Sequence, residues 1–353
     1  YASTMPCACA PYGLTFRENG RIMTPTVAII VRTKNRPQFL TRALANIAEQ
    51  TYQDYAVYVV NDGGDRAEAE RIVTASPVAD KTTLLHTDGI GMEAASNLGV
   101  RESESTYVTV HDDDDLWAPK FLKHTVAALD STGANMCTVR IVERFERETD
   151  NGFQVLNERI FHEGLPIVGL QFLYRTNRAV PIGVIYRRDL HTRLGGYRDD
   201  LAVVGDWEFN MRAAAEGEII TIDEPLAYWC QRPEATGAAA NSVSREAEHR
   251  YYDSKVRAEE IRKDIASGSS AGPYLYQAHL ANELDGRILE NHNLLRDVLA
   301  TLGRIETTQR EQGEQLKRIE AAQQEQNERL LRVERALSWR ERAERITKYF
   351  KRG

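Results

Sequence analysis

The patterned part of the chain begins with Val27-Ala28-Ile29-Ile30-Val31, an apolar, mostly β-branched run that stops at Arg32-Thr33-Lys34-Asn35-Arg36-Pro37. Such a run predicts a strand buried on both faces. From Gln38 to Gln50 the residues Phe39, Leu40, Ala43, Leu44 and Ile47 recur at helical spacing, and a second strand over 56–60 closes on Asn61-Asp62-Gly63-Gly64. Leu84-Leu85 gives a short third strand and Glu93 to Arg101 a helix. Tyr107 to Val110 form a fourth strand that runs into His111 and four aspartates, Asp112 to Asp115. Strands alternating with helices predict an α/β domain with a Rossmann-like, mainly parallel sheet and flanking helices, whose ligands sit beyond the carboxyl ends of the strands. The polar ends at 32–37, 62–64 and 111–115 then converge.

From about Asn241 the strand signals cease and the pattern turns helical, with a loop predicted over 267–273. Beyond it runs a repeat of period 14: Leu302-Gly303-Arg304-Ile305-Glu306, Leu316-Lys317-Arg318-Ile319-Glu320 and Leu330-Leu331-Arg332-Val333-Glu334. Fourteen is two heptads, and Leu302 at a places Ile305, Gln309, Gln312, Leu316, Ile319, Gln323, Gln326, Leu330, Val333 and Leu337 at unbroken a and d spacing. This predicts a left-handed coiled-coil stalk, with glutamine layers that weaken it while fixing its register. A solvated single helix is the alternative. Arg329 to Glu334 matches the R-h-x-x-h-E pattern of parallel three-stranded coils, so a homotrimer is favoured over a dimer or tetramer. The expected organisation is an extension over 1–23, a catalytic-sized domain over 24–240, a helical connector over 241–287, the stalk over 288–337 and a basic amphipathic tail over 338–353.

Net charge −7 and a pI near 5.7 supply no basic field for nucleic acid, which is excluded as a partner. Cys7, Cys9, Cys137 and Cys230 are too scattered for a disulfide framework, which points to a reducing, cytoplasmic setting. Cys7 and Cys9 form a C-x-C that lacks a second ligand pair for zinc. No run is long and apolar enough to span a bilayer, so the expectation is a soluble or peripheral protein. The tail carries Trp339, Ile346, Tyr349 and Phe350 among six basic residues. It suits either contact with an anionic membrane surface or docking to another protein.

The run Asp112 to Asp115, followed by Leu116-Trp117-Ala118-Pro119, is the densest chemical signal. Adjacent carboxylates repel and raise one another's pKa unless a cation neutralises them. A hard divalent ion, Mn²⁺ or Mg²⁺, shared with a substrate's phosphates would do so. A solvated acidic loop capping a helix that starts near Pro119 is the alternative.

Four segments in order, Thr33-Lys34-Asn35-Arg36, Val60-Asn61-Asp62-Gly63-Gly64, Gly91 to Gly99 and His111 to Trp117, together resemble the inverting glycosyltransferases of family 2, which have the GT-A fold. The family's T-Y-N-R stands here as T-K-N-R, its V-D-D-G-S as V-N-D-G-G, and its L-D-x-D-D-x-W as H-D-D-D-D-L-W. The resemblance spans roughly Thr26 to Asn241 and implies transfer of a sugar from a nucleoside diphosphate to a glycan or lipid-linked acceptor, in bacterial cell-surface polysaccharide synthesis at the inner face of the membrane. It implies that Thr33, Lys34, Arg36, Asp62, Asn97, Asp112 and Asp113 bind the nucleotide sugar. Asp112 and Asp114 would form the metal-binding D-x-D pair, with Asp114 the foremost ligand. Loss of Asp114 is expected to abolish turnover without unfolding the chain. Gly195, Gly196 and Trp207 fall in the acceptor-side segment, and Asp206 is the implied base, with Glu208 as substitute. Asp206 could equally serve as N-cap of a helix over 207–215. The pattern departs at Lys34 (tyrosine in relatives), Ser96 (arginine) and Gly205 (the glutamate of an E-D pair), and no histidine follows Arg232. Arg232 is left between a phosphate contact and plain solvation. A sugar nucleotidyltransferase, which needs a glycine-rich loop after the first strand, and a sugar-nucleotide-binding scaffold are the competing readings.

Overall fold

The computed structural model describes residues 16–18, 21–149, 152–162, 164, 168–235, 237 and 246–350, with the side chains of 16–18, 21–23, 246 and 347–350 excepted. The C-x-C at Cys7 and Cys9, the proposed boundary near Asn241 and the aromatic end of the tail lie outside the described residues.

A two-stranded hairpin, β1 (Phe16–Glu18) and β2 (Arg21–Met23), precedes the main sheet. That sheet begins with β3 (Val27–Thr33), α1 (Pro37–Ala48), β4 (Tyr55–Asp62), α2 (Arg66–Ala75), β5 (Thr82–Thr87), α3 (Met92–Arg101) and β6 (Tyr107–Asp112). It continues through β7 (Leu116–Trp117), α4 (Phe121–Thr132), β8 (Met136–Thr149), β9 (Gly152–Ile160), the short α5 (Leu170–Leu173), β10 (Val184–Arg187), α6 (Arg188–Leu194), α7 (Gly205–Glu216) and β11 (Ile219–Gln231). Strand order is β5-β4-β3-β6-β10-β8-β11-β7, with β9 paired to β8.

The sheet is mixed rather than mainly parallel. Strands β5, β4, β3 and β6 pair in parallel, as do β8 and β11, but β10 runs antiparallel to both β6 and β8, and β7 and β9 pair antiparallel. The parallel half is the one with continuous apolar strands, because helices cover both of its faces. Alternate residues of β3 supply the two cores: Val27, Ile29 and Val31 pack on the face that also holds Leu40, Leu44 and Ile47 of α1, while Ala28 and Ile30 pack with Ala95, Trp207 and Phe209 of α3 and α7. Helix α3 lies close on the sheet at Gly99, where an added Cβ would meet Ile30 at 2.5 Å.

Contacts divide the chain at 260/261. Helix α8 (Glu246–Ala266) belongs to the first unit up to Glu260: Val256 is buried in the α3/α7 core, and Arg198 reaches Glu259 at 2.7 Å. In the second unit, α9 (Gly272–Phe350) is one continuous helix of 79 residues, about 120 Å long at the usual rise. Its predicted seam residues Leu302, Ile305, Leu316, Ile319, Leu330, Val333 and Leu337 are all about half exposed in the single chain. Among the described residues no helix is long and apolar enough to cross a membrane.

Candidate active site

The carboxyl ends of β3, β4 and β6 open into a cavity of about 1090 Å³. Its lining includes Arg32, Thr33, Lys34, Arg36, Asp62 and the acidic turn 112–115, together with Asp206, Trp207, Asn177, His162, Arg175 and, from α8, His249, Arg250 and Asp253.

Each aspartate of the turn has a distinct partner. Arg32 Nε donates to Asp112 Oδ1 at 2.8 Å, and its Nη2 contacts the same oxygen. Asp113 accepts from Thr33 Oγ1 at 2.7 Å and from Arg36 Nη1 at 2.9 Å. Asp114 pairs with Arg232 and, at 3.2 Å, with Arg36. Asp115 Oδ1 accepts the Cys230 backbone N–H at 2.8 Å. Arg42 links a further layer, donating to the Asp114 carbonyl at 2.6 Å and to both oxygens of Glu146 at 2.9 Å, while Arg232 Nη1 meets Glu146 at 2.8 Å. Both guanidinium groups lie near the ring of Phe39, Arg232 at 4.6 Å and Arg42 at 5.7 Å.

The turn is therefore neither a solvated loop nor a bare carboxylate cluster: Asp113, Asp114 and Asp115 are buried, and arginines supply much of the neutralising charge. Arg232, only 4% exposed, is structural in this network rather than solvated. Asp114 is 7% exposed and is one of two carboxylates, with Glu146, that pair with the buried Arg232, so its loss is expected to lower folding stability. Burial and the Asp114 charge push Asp113 up to about 7 despite Arg36 and Thr33. Burial pushes His111 down to about 4, so the imidazole is neutral beside Trp117.

The carboxylate oxygens of Asp112 and Asp114, both in the cavity lining, are the hard donors a divalent ion takes. No three acidic, histidine or cysteine side chains among the described residues converge as a ready cage. The fit is thus to an ion held by one or two carboxylates that takes its remaining ligands from phosphates.

Asp62 sits on the same wall with its carboxylate engaged: it accepts the Ile90 N–H at 2.7 Å, the Gly91 N–H at 3.0 Å and the Thr87 hydroxyl. Burial would raise its pKa, but these donors outweigh burial and hold it below the usual carboxylate range. Lys34 is exposed at the mouth. Asp206, also in the lining, lies in the first turn of α7 and not at its cap, which is Val204 with φ 62°. Its Oδ2 accepts from Asn177 Nδ2 at 2.7 Å, and burial raises its pKa.

Four sequence-derived site residues lie away from this lining. Glu208 is buried and paired in two-pronged fashion with Arg212 (2.6 and 2.8 Å), one helical turn on. Arg212 in turn holds the carbonyls of Leu194 and Gly196, so Gly195 and Gly196 form a left-handed turn after α6 and do not face the cavity. Asn97 bridges the backbone N–H and carbonyl of Tyr197 at 2.9 and 2.8 Å. Trp207 touches the cavity, but its indole N–H is bound to the Leu173 carbonyl. Conversely, Arg32, Glu93, Arg42, Glu146 and Asn177 escaped the sequence reading. Glu93 did sit inside a quoted motif, but an acidic residue in a helix's first turn is ordinary there.

Residues 28–198 match the model of "Glycosyl transferase family 2". An uncharacterized glycosyltransferase of Bacillus subtilis, YwdF, is 26% identical over 54% of this chain and 68% of its own length. A Rickettsia felis uncharacterized glycosyltransferase is 30% identical over 31% of this chain, and the chain spans only 18% of that relative. Among solved structures, the chain is similar to Staphylococcus aureus TarS 1-349 in complex with UDP-GlcNAc, with TM-score 0.48, 20% identity and 61% of each chain covered. It is also similar to the Pyrobaculum calidifontis mannosyltransferase PcManGT in complex with GDP-Man and Mn²⁺, with TM-score 0.46, 20% identity and 74% and 81% covered. The segment that matches the family 2 glycosyl transferase model, residues 28–198, is the one that carries the parallel half of the sheet and the acidic turn.

Proposed function

We propose that the first unit is an inverting glycosyltransferase that moves a sugar from a nucleoside diphosphate to an acceptor hydroxyl. The observation that supports this reading is that Arg36, Lys34, Asp62, the acidic turn and Asp206 all line one cavity. Arg36 and Lys34 suit the diphosphate and Asp62 the nucleoside, from an orientation its three donors already fix. Asp206 takes the acceptor hydroxyl's proton as the oxygen attacks the anomeric carbon opposite the leaving diphosphate. Asn177 orients its carboxylate, and its raised pKa makes it the stronger base. Asp112 and Asp114 would hold Mn²⁺ or Mg²⁺ together with the diphosphate. When bound, the ion neutralises charge that develops on the leaving group.

The acceptor in this reading is a glycan or lipid-linked hydroxyl in bacterial surface-polysaccharide synthesis. Helix α9 is read as a parallel, trimeric coiled coil, on the strength of its exposed seam and its period-14 repeat. Trp339 and Ile346, exposed among arginines, are read as a contact for an anionic bilayer at the inner membrane face.

The test is thermal melting with UDP, GDP, CDP and ADP, each with and without Mn²⁺, on the native chain and on Asp114→Asn, which keeps the buried volume. A ligand at about 100 times its Kd stabilises by about 2.7 kcal/mol. Stabilisation by one nucleotide, dependent on metal and lost in Asp114→Asn, is expected. Folded protein that no nucleotide stabilises would overturn the transferase reading.

A further inference from the structure

Among the buried carboxyls at the cavity that the transfer step leaves without a role, one lies against the turn that carries Asp206. Glu93, in the first turn of α3, is 5% exposed; its Oε2 lies 3.3 Å from Arg32 Nη1, and it accepts the backbone N–H of Gly205. Arg32 also grips Asp112. A continuous chain of contacts thus runs from the acidic turn through Arg32 and Glu93 to the residue next to Asp206, from strands β3 and β6 across α3 to α7. A Cβ built on Gly205 would fall 2.5 Å from both Cδ and Oε1 of Glu93, so a side chain at position 205 would have to displace the Glu93 carboxyl. A glutamate's carboxyl carbon stands two bonds from its own Cβ, a separation that matches this gap. The volume a glutamate at 205 would fill is therefore filled here by a carboxyl delivered from α3. Val204, immediately before, holds a left-handed backbone that a β-branched residue rarely adopts, so the turn must be held by its surroundings.

We propose that Glu93 is a positioning residue for the transfer: it pins the Gly205 amide, and with it Asp206, to the Arg32–Asp112 side of the cavity, so that base and diphosphate site keep one geometry. The inference rests on Asp206 acting as the base. Displacement of a reacting group by about 1 Å can cost about 10²-fold in rate.

The experiment compares Glu93→Ala, Gly205→Glu and the double variant by thermal melting, and by kcat and KM for release of nucleoside diphosphate from the UDP- or GDP-sugar that the nucleotide series selects. Glu93→Ala is expected to lower kcat about 10²-fold with donor KM moved less than about threefold. Gly205→Glu alone is expected to melt lower and lose turnover. The double variant should recover both, because the carboxyl returns to the same volume from the other backbone position. Glu93→Gln keeps the volume and an acceptor for the Gly205 amide, and is expected to retain more kcat than Glu93→Ala. A double variant no better than the poorer single one, in melting or in turnover, would overturn the proposal, as would native kcat in Glu93→Ala. Asp206→Asn separates the two readings: if it turns over normally, the base assignment fails, whereas if it is inactive while Glu93→Ala is normal, only the positioning role fails.

Discussion

Replacing Arg232 with methionine would remove the guanidinium that joins Asp114 to Glu146 while keeping most of the apolar stem over Phe39. All three charged groups are nearly inaccessible: Arg232 is 4% exposed, Asp114 7% and Glu146 3%. Breaking a buried ion pair by deleting one partner costs roughly 3–5 kcal/mol, because the remaining charge keeps its desolvation penalty. At roughly 2–4 °C per kcal/mol for a unit of this size, the melting temperature should fall by roughly 6–20 °C. The assay is thermal and urea unfolding of the full chain at neutral pH, with Arg71→Met as control, since Arg71 pairs with Glu68 in the open on α2. The control should melt as the native protein does. An Arg232→Met protein that melts with the control would refute the view that arginines, rather than solvent, carry the charge balance of the acidic turn.

Other outcomes follow from the same geometry. Burial, with Asp206 and Asp112 nearby, lifts Glu93 to about 7 even against Arg32. The folded state then holds a proton that the unfolded chain has released, so stability is full below about 4.5 and drains as pH rises toward 7, by about 1.4 kcal/mol per pH unit. Glu93→Gln should melt with a flatter pH dependence between 5 and 8, and an unchanged slope would remove Glu93 as its source. Glu208→Gln should keep kcat within a few-fold while lowering the melting temperature, because its partner Arg212 faces the Gly195–Gly196 turn and not the cavity. Loss of turnover there with Asp206→Asn active would exchange the two roles. Sedimentation of the full chain should give three copies, and Ile319→Asp, placed at a d layer, should give one; a native chain that sediments as a single copy would discard the stalk.

How far the sequence could be read depended on where its strands lie. β3, β4 and β6 announce themselves because helices on both faces demand unbroken apolar runs. β8 and β11 do not: they carry Glu143, Arg144, Glu146 and Asp223, Glu224 among apolar residues, and Pro225 sits at an irregularity of pairing. Those charges read as surface until the fold shows Glu146 turned inward. The acidic turn was legible because four carboxylates in a row are chemically improbable without neutralisation. Its neutralisers were not, because Arg32, Arg42 and Arg232 lie 80, 72 and 118 positions from their partners, a separation no local pattern encodes. Asn97, Gly195 and Gly196 show the converse: motif positions whose visible work is to fasten α3, α6 and α7 together.

Glu146 sits on β8, outside the segment that matches the first four motifs, yet through Arg42 and Arg232 it is bound to the turn those motifs define. The acidic-turn wall is therefore not a transplantable cassette. A chimera that carried residues 28–120 of this chain into another scaffold would bring the aspartates and Arg42 but leave behind their counter-ion Glu146 on β8 and Arg232 after β11. The graft would take only if positions 146 and 232 travelled with it, which makes that pair the compatibility marker to check before moving this wall between scaffolds.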